Sequence, residues 1–298
     1  MQNPAGILSA LWTPTTAEGE IDDPLLKLQV EFVIRGEVAG ILALGSTGEF
    51  VHFDLATRER LLRRIVEFAK GHPVVANISD VSPRNVRHMA RVATEIGCAG
   101  VAILPPWYFP LSAADQQAFF LDAASATPLP ICLYNFPERT GNRISLETIS
   151  AVAKRANVTS VKQSGAEWAY HQELVTLGRE LDFAVLTGSD TRLDEALALG
   201  CTGCISGLSN VCPELLVEVC RSVPVGDTAR TARSMSLLKR VGAACGGVHF
   251  PMDVAAGMRA RGLNPGAPKQ IVSDVTRIGM DGVTAALIPV LQDAGLIA

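Results

Sequence analysis

Lys162 is the residue in this chain best placed to do chemistry. It is one of six lysines. Lys27, Lys70, Lys154 and Lys239 lie in stretches with helical spacing, and Lys269 lies in a Pro/Gly-rich loop, so those five read as solvated. Lys162 instead ends the β-branched run Val158-Thr-Ser-Val-Lys162. Alternate residues of such a run face the inside of a sheet or barrel. Burial disfavours an ammonium, and a neutral amine can attack a ketone to form a Schiff base. The competing reading is a structural lysine paired with Glu49 or Asp190 at a barrel mouth, and spacing alone leaves both open.

Tyr134 supports the chemical reading. Of three tyrosines, Tyr108 and Tyr134 fall at strand ends, and a phenol beside an imine nitrogen can carry protons. A tyrosine at a wet boundary would look the same. Gly45-Ser46-Thr47-Gly48 offers two hydroxyls and free backbone amides ahead of a helix, a weak signal for a carboxylate nest. It is not a nucleotide-phosphate loop, because no Gly-Lys-Ser/Thr follows. Thr187-Gly188-Ser189-Asp190 adds Gly188 and Asp190 as candidate substrate contacts, although Asp190 could instead cap the next helix. Trp168 and Tyr170 open a helix after the sixth strand and read equally as pocket lining or core.

These residues need a scaffold that brings strand ends together. Eight short apolar runs recur: Gly6–Leu11, Gly40–Leu44, Val74–Ile78, Gly100–Leu104, Ile131–Tyr134, Val158–Lys162, Phe183–Leu186 and Gly203–Ser206. Continuous apolar runs suit strands buried on both faces. Amphipathic stretches separate them. Leu55–Ala69, for example, puts Leu61, Leu62, Ile65, Val66 and Ala69 on one face and its Arg and Glu residues on the other. Eight strand–helix units predict an α/β fold, the (β/α)₈ TIM barrel, with active-site residues at the carboxyl ends of the strands. An open doubly wound sheet is disfavoured, since no Gly-x-Gly-x-x-Gly turn follows the first strand. The predicted division is a barrel over 1–222 and a C-terminal helical segment over 223–298, with helices at Thr228–Cys245, Met252–Arg261 and Thr284–Ala294.

Composition narrows the function. A net charge of −4 without a basic stripe argues against nucleic acid. No uncharged run approaches the roughly 20 residues of a membrane span. The amino-terminal stretch MQNPAGILSALWTP lacks a signal-peptide pattern. Seven scattered cysteines suggest reduced thiols in a cytoplasmic protein. Cys201-Thr-Gly-Cys204 lacks further ligands, the histidines lack ligand spacing, and neither metal nor cofactor is expected.

The ordered set Gly45-Ser-Thr-Gly-Glu49, Pro106-Trp-Tyr108, Tyr134-Asn-Phe-Pro137, Val161-Lys162 and Gly203-Cys-Ile-Ser206 with Asn210 resembles the dihydrodipicolinate synthase / N-acetylneuraminate lyase family. The likeness runs from near residue 5 to about residue 265. It implies a metal-independent class I lyase or aldolase acting on pyruvate and an aldehyde, usually as a homotetramer. By the resemblance, Lys162 is the Schiff-base lysine and Tyr134 the proton relay. Ser46 and Thr47 complete that relay and hold the pyruvate carboxylate. Tyr108 reaches a neighbouring subunit's site, and Ile205 faces the site through its carbonyl. Arg139 matches an arginine that synthases use for aspartate semialdehyde; it could also be an exposed arginine paired with Glu138. Asp190 matches an acidic residue near the aldehyde end in some relatives. Ser46 and Val161-Lys162-Gln163 look more like the sialic-acid and sugar-acid branches. Leu55 and Arg58 stand where some synthases carry feedback-site histidines, so lysine feedback is not expected. The favoured expectation is a synthase condensing pyruvate with aspartate semialdehyde. A 2-keto-3-deoxy sugar acid aldolase or dehydratase, or a barrel without turnover, stays open.

Overall fold

A computed structural model describes residues 4–298; residues 1–3, which open the stretch read above for a leader, lie outside the described residues. Its strands are β1 (Gly6–Ala10), β2 (Gly40–Ala43), β3 (Val74–Asn77), β4 (Gly100–Ile103), β5 (Ile131–Asn135), β6 (Val158–Gln163), β7 (Ala184–Thr187) and β8 (Gly203–Ser206). Each pairs in parallel with its sequence neighbours, and β8 pairs back onto β1 to close the barrel. The helices are α1 (Asp23–Arg35), α2 (Leu55–Ala69), α3 (Pro83–Glu95), α4 (Ala113–Ser125), α5 (Pro137–Thr140), α6 (Leu146–Ala153), α7 (Tyr170–Leu181), α8 (Leu193–Leu199), α9 (Pro213–Ser222), α10 (Thr228–Cys245), α11 (Met252–Ala260) and α12 (Asp274–Asp293). The (β/α)₈ expectation is met.

The barrel interior is a small apolar cluster: Leu8, Ala10, Leu42, Val75, Ala102, Cys132, Leu186 and Ile205. A much larger cluster fills the layer between strands and helices, and it continues through Leu238, Val241, Met252 and Leu287 of the C-terminal helices. Because side chains alternate along a strand, the parity of Cys132 carries Tyr134 to the inside one layer higher. Tyr134 stands beside Lys162 in the β5–β6 register.

Asn210 closes the seam between the last strand and the first. Its Oδ1 accepts from the Trp12 amide at 2.9 Å and from Gln29 Nε2 at 3.0 Å. Its Nδ2 donates to the Ala10 carbonyl at 2.8 Å. An amide side chain satisfies both donors and acceptors at a buried junction where an apolar residue would orphan them.

Helical spacing puts Arg58 on the solvated face of α2, but the residue is buried. Its Nη1 donates to Asp80 at 2.9 Å, its Nη2 to the Ser79 carbonyl at 2.7 Å, and its guanidinium lies 5.2 Å from the Phe50 ring centre. The partners come from the loop after β3, which helical periodicity does not report. The last helix begins at Asp274, ten residues before the expected Thr284. Its first turns expose Val275 and Ile278, so they lack an apolar stripe; Ser273 caps the helix by accepting from the Thr276 amide. Among the described residues no helix is long and apolar enough to cross a membrane.

Candidate active site

The carboxyl ends of the strands bring the chemical residues together. Lys162 is 5% exposed, on the penultimate residue of β6. Its Nζ lies 3.1 Å from the Tyr134 hydroxyl and 4.2 Å from the Tyr134 ring centre. Among the described residues Lys162 makes no ion pair with a carboxylate, so the structural pairing with Glu49 or Asp190 is not what forms. Glu49 pairs elsewhere, and Asp190 accepts from the Leu208 amide at 3.1 Å.

Lys162 opens onto a cavity of about 390 Å³, within the roughly 300–1,000 Å³ range of small-molecule sites. Thr47, Tyr134 and Ile205 line it beside the lysine. Arg139 and Phe136 come from the β5 loop, Gly188 and Asp190 from the β7 loop, and Phe250, Asp253 and Val254 from the C-terminal segment. Gly188 is required by a close approach: a Cβ there would meet the Ser164 hydroxyl and come within 3.2 Å of Lys162 Cε. Asp190 does not cap its own helix. Its carboxylate turns to the β8 loop, where the Cys204 thiol also approaches it at 3.4 Å. Burial pushes the Asp190 carboxyl up, opposed by Ser206, the Leu208 amide, Cys204 and the Lys162 charge.

Ser46 and Tyr108 do not line the Lys162 cavity. Ser46 lines a second cavity of about 380 Å³ together with Glu49, Trp107 and His52. Tyr108 lies outside both cavities, is 85% exposed, has φ 84° and packs edge-on against Phe109. Arg139 stands between the cavities and lines both. The alternative pairing with Glu138 is absent, because Glu138 accepts from the Ala166 amide at 2.6 Å. The Arg139 guanidinium instead lies 5.4 Å from the Phe250 ring centre and 5.8 Å from that of Phe136. Among the described residues it has no carboxylate partner, so its charge is available to an anion.

Other singled-out residues are scaffolding. Tyr170 is buried and donates to the Ile144 carbonyl at 2.7 Å. Trp168 stacks under the Arg192 guanidinium at 3.5 Å. Gln163, read as a branch marker, is fully buried and accepts from Asn135 at 2.7 Å, so it does not reach the cavity. Cys201 and Cys204 are buried free thiols, and burial pushes Cys201 up to about 12.

Lys269 is the largest correction. Read as solvated, it is buried against Glu49 at 2.9 Å, with side chains 2% and 4% exposed, and lies 4.3 Å from the Trp12 ring centre. Burial pushes its ammonium down and the Glu49 charge opposes that shift. The loop carrying it is clasped to the barrel by Trp12 Nε1 donating to Pro265 at 2.7 Å and the Ala267 amide donating to Thr15 at 2.7 Å. Nothing in a Pro/Gly-rich stretch signals this; the partner is 220 residues away in sequence. Phe250 and Asp253 are cavity residues that the sequence pattern does not reveal, because they lie in a segment whose helical spacing reads only as packing.

Fold and site together define a (β/α)₈ lyase of the class I aldolase type. The model of the dihydrodipicolinate synthetase family matches residues 3–285, and the chain belongs to that family. It is 30% identical to an uncharacterized DapA-like lyase of Halobacterium salinarum over 98% of this chain and 94% of that protein. It is 37% identical to a 4-hydroxy-tetrahydrodipicolinate synthase of Sorangium cellulosum over 76% of this chain and 75% of that protein. The fold matches that of YagE, a prophage protein of the dihydrodipicolinic acid synthase family from E. coli K12 solved with pyruvate, with TM-score 0.90 at 24% identity, over 98% of this chain and 99% of that one.

Proposed function

We propose that this protein is a pyruvate-dependent Schiff-base lyase in which Lys162 is the nucleophile. The observation that carries this reading is the buried Lys162–Tyr134 contact at 3.1 Å, facing a small-molecule cavity and free of any carboxylate partner among the described residues. The Lys162 amine adds to the pyruvate ketone, and loss of water gives an iminium. The iminium withdraws electrons, so a methyl proton leaves to form an enamine. The enamine carbon attacks the aldehyde carbonyl; in reverse the same species departs. Tyr134 is the group within reach to carry these protons, and Thr47 borders the space beside it. The test is reduction with borohydride in the presence of pyruvate, followed by peptide mapping. A pyruvyl adduct on the Lys162 peptide is the expected result; its absence overturns the reading.

The preferred partner is aspartate semialdehyde. The unpaired Arg139 guanidinium at the rim supports an aldehyde that carries a carboxylate. A sugar-acid partner is the second reading, supported by the carboxylates of Asp190 and Asp253 on the cavity wall, which suit hydroxyls. Arg139→Gln is expected to raise the KM for aspartate semialdehyde about 10- to 100-fold, the worth of a charge-assisted hydrogen bond, with a smaller effect on an uncharged aldehyde. Steady-state kinetics with both aldehydes checks it. Tyr134→Phe is expected to lower kcat by about 10²–10⁴-fold, as loss of a positioned proton carrier does. A kcat within a few fold of the wild type would remove Tyr134 from the mechanism.

The exposed Tyr108 and Phe109 side chains support the homotetramer that the resemblance implies, with Tyr108 covered by a second copy.

A further inference from the structure

We infer that Asp253, contributed by the C-terminal helical segment, is a specificity residue that recognises a hydrogen-bond donor, a hydroxyl or an amino group, on the aldehyde partner. The inference rests on the Schiff-base reading above. Asp253 sits in the first turn of α11 and lines the same cavity as Lys162. It is the one carboxylate that the C-terminal segment contributes to that wall. Phe250 and Val254, on either side of it in sequence, pack around Gly207 after β8, as does the Thr47 hydroxyl, and both line the cavity.

Asp253 shares the cavity wall with Asp190 and Lys162 and, among the described residues, makes no ion pair with the lysine. One of its oxygens accepts from the Val254 amide at 2.8 Å. No side chain of the described residues donates to this carboxylate. Burial, helped by the Asp190 charge, pushes the carboxyl up to about 6 against the Val254 and Asp253 amides and His249. A half-buried acceptor of this kind favours a donor that replaces lost water and disfavours an apolar or anionic group in the same place. Arg139 on the β5 loop supplies the opposite preference. The cavity thus carries both a cation suited to a carboxylate and an acceptor suited to a donor.

The test compares two pairs of aldehydes with pyruvate: aspartate semialdehyde against succinate semialdehyde, which lacks the amino group, and glyceraldehyde against propanal, which lacks the hydroxyls. The wild type is expected to prefer the donor-bearing member of at least one pair. Asp253→Ala should cut that kcat/KM ratio about 10- to 100-fold, the worth of one such hydrogen bond, and Asp253→Asn should cut it less. A purely structural role in holding the Val254 amide would lower the melting temperature and leave both ratios as they were. Ratios within twofold of the wild type in both variants, or no donor preference in the wild type, overturn the assignment alone. Failure of the wild type to trap pyruvate overturns the Schiff-base reading and this inference with it.

Discussion

Lys162→Ala is expected to abolish the borohydride-trapped pyruvate adduct and to lower kcat by about 10⁴–10⁶-fold, the usual cost of removing a covalent nucleophile. Lys162→Arg should fare no better, because a guanidinium keeps its proton and cannot add to a ketone. The two variants together separate chemistry from packing. Arginine restores a cation beside Tyr134, so any structural service of positive charge returns while the nucleophile stays absent. The fold should tolerate both, since among the described residues the Lys162 side chain contacts Tyr134, on the hydroxyl and the ring, and makes no ion pair. Turnover in Lys162→Ala within tenfold of the wild type would show that the barrel does its work without a Schiff base at this position.

Lys269→Met is expected to destabilise the protein by about 3–5 kcal/mol, because it leaves the Glu49 carboxylate buried without its partner. The corresponding fall in melting temperature is on the order of 10 °C. Pairing Lys269→Met with Glu49→Gln should recover much of the loss, since the buried charge then disappears with its counter-ion. Activity should follow the same order. Glu49 is three residues beyond Ser46 and lines the second cavity beside it, and the ion pair holds the C-terminal loop against Trp12 and Thr15. Thermal unfolding of the two single variants and the double variant checks the coupling. Additive losses, with no recovery in the double variant, would show that the pair is not a unit.

The eight-fold alternation, the closed barrel and the identity of the Lys162–Tyr134 pair were legible in the sequence. The physical reason is locality. A strand buried on both faces must be apolar along its length, so a lysine and a tyrosine that end such strands stand out, and parity alone turns them inward. Helix periodicity likewise located α2 and α10 at the bounds observed. What the tertiary structure decided was which charges meet. Arg58 and Lys269 look solvated by local pattern, yet both are buried because carboxylates from distant loops, Asp80 and Glu49, reach them. By the same token Glu49 is taken up by Lys269 and leaves Lys162 to Tyr134, while Ser46 lines the neighbouring cavity and Tyr108 stands exposed. Asp253 enters the cavity only because the start of α11 packs around Gly207 after β8. Apolar burial is written residue by residue along a chain, whereas the partner of a buried charge is set by loops far apart in sequence that the closed barrel brings together.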